Sequence, residues 1–147
     1  DFIPSSAGDG GLMAALALAA TVAAWLATMA ARRCNRAGRA GAFYAGALLA
    51  IVAAAAGVAG LLLHPYWAGL NPRATVYASV IWLLAIWASV QAAIGMVMLL
   101  YCVARRLAGR MTAKYDMDIV NVELYWHFTA ATILIALGIT AGIPRLL

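Results

Sequence analysis

Residues 122–143 read VELYWHFTAATILIALGITAGI, an apolar stretch long enough for one membrane-spanning helix. Its first third carries the run 123–128, in which His127 lies among tyrosine, tryptophan and phenylalanine and Glu123 comes first. Ionisable side chains within such a segment are expected to face other helices rather than lipid. We therefore predict that this span packs against neighbours and that the rest of the chain supplies them.

The composition of the chain excludes a soluble domain. Of its 147 residues, 67% are hydrophobic and only 10% are charged, which leaves too little polar surface to cover a protein folded in water. The net charge of +5 does not indicate a nucleic-acid partner, because the basic residues are concentrated in two short segments between apolar stretches. This distribution is a signal of membrane topology.

Four apolar stretches, at residues 12–31, 42–63, 76–104 and 122–143, have the length of transmembrane helices. The sequence thus predicts an all-α fold, a polytopic transmembrane bundle of four helices that occupies residues 12–147. Residues 1–11 are rich in Gly and Ser and contain a Pro, a composition typical of a flexible linker or tail. This linker favours the interpretation that the chain is a segment of a longer polypeptide.

The second span repeats small residues at every fourth position, which makes two neighbouring faces of the helix smooth. In lipid, such faces let helix backbones approach closely. We expect a neighbouring helix to approach the second span closely at three such pairs, which are Gly46 with Ala50, Ala53 with Gly57, and Ala56 with Gly60.

The basic residues predict the orientation in the membrane. The first loop and the third loop carry four each, against one in the second loop and one in the tail, so that eight of the ten lie on one side. The positive-inside rule then places both termini on the outer side and the first and third loops in the cytoplasm. We expect an integral protein of a bacterial plasma membrane.

Polar residues near the spans have structural interpretations. Gln91, near the middle of the third span, is expected to bond to another helix, and Glu123 to reach water or a basic loop residue at the inner interface. Residues 107–122 are predicted to form a mixed-charge surface loop. In that loop, Asp116 and Asp118 would pair with Arg110 and Lys114, and the thiols of Cys34 and Cys102 would remain reduced.

Two histidines could in principle hold a haem iron between two helices. His64 lies at the outer end of the second span, whereas His127 lies near the inner end of the fourth, so their depths differ by roughly 20 Å. We therefore expect His127 to be a core histidine whose ring bonds to a carbonyl or to Glu123. The sequence contains no phosphate-binding loop, zinc signature or nucleophile with a base.

The run 122–128 resembles the start of the final helix of subunit III of haem-copper cytochrome c oxidases, where Tyr-Trp-His-Phe follows a short polar loop. Residues 93–95 and the later Arg105-Arg106 pair look like the preceding helix of that family. The family's usual histidines there are replaced by Ala88 and Gln91, and Ala130 stands where it commonly has an acid. The ending looks more like the shortened subunit III region of fused subunit I and III polypeptides.

The resemblance implies an accessory, non-redox role beside the catalytic subunit, supporting proton uptake in a complex that reduces oxygen and pumps protons. Haem and copper would be held by subunit I, to which this chain could be fused, and by subunit II, while this chain would bind phospholipid. The resemblance implies no catalytic residue, metal ligand or cofactor ligand in this chain. It implies a packing or lipid-contact role for four residues, Tyr125, Trp126, His127 and Phe128.

Two alternatives remain open from the sequence. An independent small transporter or scaffold would use Gln91, Glu123 and His127 to line a polar path. A small membrane cytochrome would use His64 and His127 as haem ligands.

Overall fold

A computed structural model of the protein describes the backbone of residues 8–142 and the side chains of residues 11–140. The chain forms α1 (Gly8–Arg36), α2 (Ala40–Trp67), α3 (Val76–Leu107) and α4 (Met117–Leu137), and α4 continues into a π-helical turn, Gly138–Gly142. Within this range there are no strands, and each of the four helices is long and apolar enough to cross a membrane. The predicted all-α bundle of four transmembrane helices is confirmed.

The helices extend beyond the apolar spans that predicted them. α1 begins at Gly8, so residues 8–11 belong to a helix and not to the linker predicted for residues 1–11; residues 1–7 lie outside the described range. α1 ends at Arg36, past the predicted end at residue 31. Arginine is a good helix former and its charge is favourable near helix carboxyl ends, so a basic residue that ends a span need not end the helix.

The fourth helix begins five residues earlier than the sequence predicted, at Met117 instead of residue 122. Its first turn contains Asp118, which the positive end of the helix dipole favours. The surface loop predicted for residues 107–122 is therefore shorter. The predicted end of the span at residue 143 lies outside the described residues.

Three helices end in the same way, on an Ala-Gly dipeptide whose glycine has a positive φ. These pairs are Ala37-Gly38 after α1, Ala68-Gly69 after α2 and Ala108-Gly109 after α3, with glycine φ values of 71°, 66° and 69°. After α2, the amide of Gly69 donates to the carbonyl of Tyr66, and the amide of Leu70 donates to that of Pro65. This is the Schellman pattern, which satisfies the last carbonyls of a helix and turns the chain sharply.

Replacement of Gly69 by alanine should lower the free energy of unfolding by about 1 kcal/mol, because the left-handed conformation crowds a Cβ against its own backbone. No other atom lies within 4 Å of the Cβ that alanine would add, so the cost comes from the backbone alone. Unfolding in mixed micelles, followed by circular dichroism, measures it. Gly41→Ala is the matched control, since Gly41 is helical and also has open space; this variant should be neutral or slightly more stable.

The helices follow one another around a ring. α1 packs mainly on α2 and on α4, and α3 packs mainly on α2 and on α4. Alanines fill most of the core beside α1, where Ala17, Ala24 and Ala31 are fully buried. The larger core residues lie elsewhere and include Leu99, Ile133 and Trp126.

α1 and α2 approach each other most closely at three glycines of α2. A Cβ at Gly60 would lie 2.9 Å from the amide nitrogen of Ala17, and one at Gly46 would lie 3.2 Å from Cα of Ala31. Gly57 faces Thr21 at van der Waals distance. The prediction that the small residues of the second span form a close helix contact is confirmed at these positions.

Candidate functional site

Most charged side chains lie at one end of the bundle, where the loops after α1 and after α3 meet. Arg32 on α1 contacts Glu123 on α4, with 2.8 Å between guanidinium nitrogen and carboxylate oxygen. Nearer the helix end, Arg36 contacts Asp116 at 2.6 Å. These two pairs join α1 to α4 and to the residue that precedes it.

A third ion pair, Arg105 with Asp118 at 2.8 Å, joins α3 to the first turn of α4. The prediction that Asp116 and Asp118 pair with Arg110 and Lys114 is therefore wrong. Because α4 begins at Met117, the two carboxylates lie at its start beside the carboxyl ends of α1 and α3. They meet the arginines of those helix ends instead of the basic residues of the loop.

The loop after α3 is fixed from inside the bundle. Asn35 is fully buried, and its side-chain amide donates to the carbonyl of Thr112 over 3.1 Å. Arg106 donates to the carbonyl of Met111, whose side chain is also buried. The loop after α1 and the loop after α3 thus lie on one face, which carries the exposed cations Arg33, Arg39, Arg110 and Lys114.

Tyr125 and Trp126 fasten α4 to α3. The hydroxyl of Tyr125 donates to the backbone carbonyl of Gln91 over 2.9 Å. The indole of Trp126 is 1% exposed and lies against Gly95, where an added Cβ would be 2.9 Å from two ring carbons. Gln91 is buried as expected, but its bond to another helix uses the main chain.

His127 and Phe128 lie on the outer surface of the bundle. His127 is exposed, and its Nδ1 is 2.6 Å from the carbonyl oxygen of Glu123. Its ring meets the ring of Trp25 on α1 edge to face, with centroids 5.3 Å apart. The expectation of a core histidine is wrong, although the expected bond to a carbonyl is present. Since Trp126 takes the inward position, the next two residues turn outward.

The two histidines are far apart. His64 is buried near the end of α2, where it lines a small recess with Ile81 of α3 and Thr140 of the π-helical turn. Thr140 follows His127 by thirteen residues, which corresponds to about 20 Å along a helix. The described residues contain no group of three or more His, Cys, Asp or Glu side chains placed to share a metal ion. Cys34 and Cys102 are both free.

Removal of the Tyr125 hydroxyl should have a modest effect. We expect Tyr125→Phe to lower the free energy of unfolding by about 0.5–1 kcal/mol, the typical worth of one hydrogen bond between membrane helices. Unfolding in mixed micelles is the measurement. Tyr115→Phe is the control, because Tyr115 is 69% exposed and should tolerate the change; equal losses in both variants would contradict the role of the contact with Gln91.

Together the fold and its polar contacts define a membrane-embedded helical bundle in which three ion pairs join α1 and α3 to α4 and to the residue before it. The chain matches no protein-family model and no curated protein sequence.

The sequence revealed only part of this arrangement. The roles of Trp25, Asn35 and Gly95 were missed. Asn35 had a usable signal, since a lone amide between arginines at a helix end often bonds to backbone. Trp25 and Gly95 stand in ordinary apolar surroundings, and only their partners across the bundle distinguish them.

Proposed function

We propose that the protein is an accessory, non-redox component of a cytochrome c oxidase complex, equivalent to its subunit III. The observation that carries the proposal is the arrangement of the Tyr-Trp-His-Phe run. Tyr125 and Trp126 hold α4 against α3, while His127 and Phe128 face outward. A helix anchored on one side with a polar aromatic face on the other suits a part that packs beside a larger membrane protein.

The proposed role is to stabilise the catalytic subunit and to support proton uptake. Haem and copper belong to oxidase subunits I and II in this proposal, and fusion to subunit I is compatible with it. The chain itself would bind phospholipid. We propose a bacterial plasma membrane as the location, with the first and third loops in the cytoplasm, because the excess positive charge is gathered on their shared face.

The alternative of an independent transporter is less well supported by the geometry. Such a transporter would need Gln91, Glu123 and His127 along one polar path. Instead, Glu123 is paired with Arg32, Gln91 is buried against α4, and His127 faces outward beside Trp25. The three side chains thus have three separate environments.

A mild-detergent purification tests the proposal. The chain is tagged in the cell that produces it, purified in a gentle detergent, and analysed by mass spectrometry and by a reduced-minus-oxidised optical spectrum. We expect oxidase subunits, or covalent continuity with subunit I, together with haem bands. An unrelated tagged four-helix membrane protein is the control, and a pure, haem-free chain would contradict the proposal.

A further inference from the structure

His127 occupies a depth at which an exposed polar side chain is costly. α4 and the start of the π-helical turn form an apolar span over Met117–Thr140, and His127 lies about 15 Å along it. Its neighbour Trp25 lies near the middle of the α1 span, Gly11–Arg36. The exposed imidazole therefore lies on the outer surface of the apolar span, one helical turn from the Arg32–Glu123 pair.

The hydrogen bonding of the His127 imidazole shows that one of its two ring nitrogens still lacks a partner within the described part of the chain. A carbonyl oxygen only accepts, so the 2.6 Å contact with Glu123 needs a proton on Nδ1 of His127. In the neutral ring, Nε2 is then an acceptor, and no donor to it is found among the described residues. An unsatisfied polar atom in hydrocarbon costs several kcal/mol. The missing partner is therefore a hydrogen-bond donor.

The surroundings of His127 suit contact with a helix of another protein. Leu124 and Phe128, on either side of it on α4, are 63% and 60% exposed, and Trp25 closes the other edge. These residues define what we name the α1–α4 outer face: Trp25, Leu124, His127 and Phe128. The nearby carboxylate of Glu123 is already paired with Arg32, and the indole nitrogen of Trp25 is buried, so the imidazole supplies the accessible polar group of this face.

We propose that the α1–α4 outer face binds a transmembrane helix of a partner protein, and that a donor side chain of this helix bonds to Nε2 of His127. Suitable donors are a hydroxyl, an amide or an indole at the same depth. The inference rests on the proposed function only in naming the partner, which would be the catalytic oxidase subunit. The chemistry of the contact is independent of that name.

Site-specific photo-crosslinking in native membranes tests this surface. A benzophenone amino acid replaces Phe128, and in a matched control it replaces Val52 of α2. Val52 has a similar exposure, 58%, and a similar depth, since contacts of Gly46 with Ala31 and of Gly60 with Ala17 place it opposite Trp25. The adduct is mapped by peptide mass spectrometry in the parent chain, in His127→Leu and in His127→Gln, which keeps an acceptor.

We expect position 128, but not position 52, to label a transmembrane peptide that carries a donor within one turn of the crosslink. The yield of this crosslink should fall about fivefold in His127→Leu, because the loss of a hydrogen bond of about 1 kcal/mol weakens binding by that factor. The yield should largely recover in His127→Gln. Lipid adducts alone, adducts to a second copy of this chain, equal labelling from both positions, or insensitivity to His127→Leu would each overturn the inference.

The experiments can contradict the oxidase assignment and the proposed helix interface independently of each other. If the mapped peptide belongs to a protein other than an oxidase, the interface stands and the oxidase assignment fails. If oxidase subunits copurify while position 128 labels only lipid, the assignment stands and the interface fails.

Discussion

Replacement of Gly95 by alanine is expected to destabilise the bundle by about 2 kcal/mol, within the usual range for overpacking a tight core. The added Cβ would lie 2.9 Å from Cε2 and Cζ2 of Trp126, which is closer than van der Waals contact. The indole cannot move away easily, because Trp126 is 1% exposed and surrounded by other core residues. α3 and α4 must therefore separate, which also weakens the bond from Tyr125 to Gln91.

A double-mutant cycle distinguishes this clash from a general effect of the substitution. Equilibrium unfolding in mixed micelles is measured for Gly95→Ala, Trp126→Leu and the double variant. The alanine should cost much less once the indole is gone, so the two changes should be strongly non-additive. Gly41→Ala, in open space on α2, is the control. Additive losses would contradict the contact between Gly95 and Trp126.

The number and approximate positions of the helices were predictable from the sequence. Hydrocarbon thickness dictates about twenty apolar residues per span, and four such runs are separated by charges or by Pro and Gly. Close packing at Gly46, Gly57 and Gly60 followed from the four-residue spacing of small residues. These features depend on local composition, which is why a single sequence is enough to recognise them.

The helix ends were less predictable. Hydropathy reports where apolar residues stop, whereas the helix stops where its last carbonyls find partners. The Ala-Gly pairs that include Gly38, Gly69 and Gly109 carried this information, because only glycine adopts the required positive φ at little cost. At the start of α4, Asp118 belonged to a first helical turn rather than to a loop.

Contacts between distant residues could not be derived from one sequence. The partners of Asp116 and of Glu123 are about eighty to ninety residues away along the chain, and nothing local selects Arg36 and Arg32 over other arginines. The outward position of His127 was unpredictable for the same reason. The run 125–128 must have both inward and outward members on a helix, but only the packing against Gly95 shows that Trp126 is the inward one.

Replacement of Glu123 by leucine should lower the free energy of unfolding by about 2–3 kcal/mol, since it leaves the guanidinium of Arg32 unpaired at the helix contact. Breaking a buried ion pair typically costs about 3–5 kcal/mol. The smaller value applies here because the side chain of Arg32 remains 24% exposed, against 12% for Glu123. The measurement is again equilibrium unfolding in mixed micelles, with circular dichroism as the signal.

The diagnostic variant removes both charges. In Arg32→Met combined with Glu123→Leu, no charge is left unpaired, and apolar side chains can pack at the same contact, so stability should return to within about 1 kcal/mol of the parent protein. Asp118→Asn is the control, because its pair with Arg105 is 27% and 32% exposed and should be worth no more than about 1 kcal/mol. A double variant as unstable as Glu123→Leu would mean that the carboxylate does more than neutralise Arg32. The attachment of α1 to α4 would then depend on the ion pair itself and could not be replaced by apolar packing.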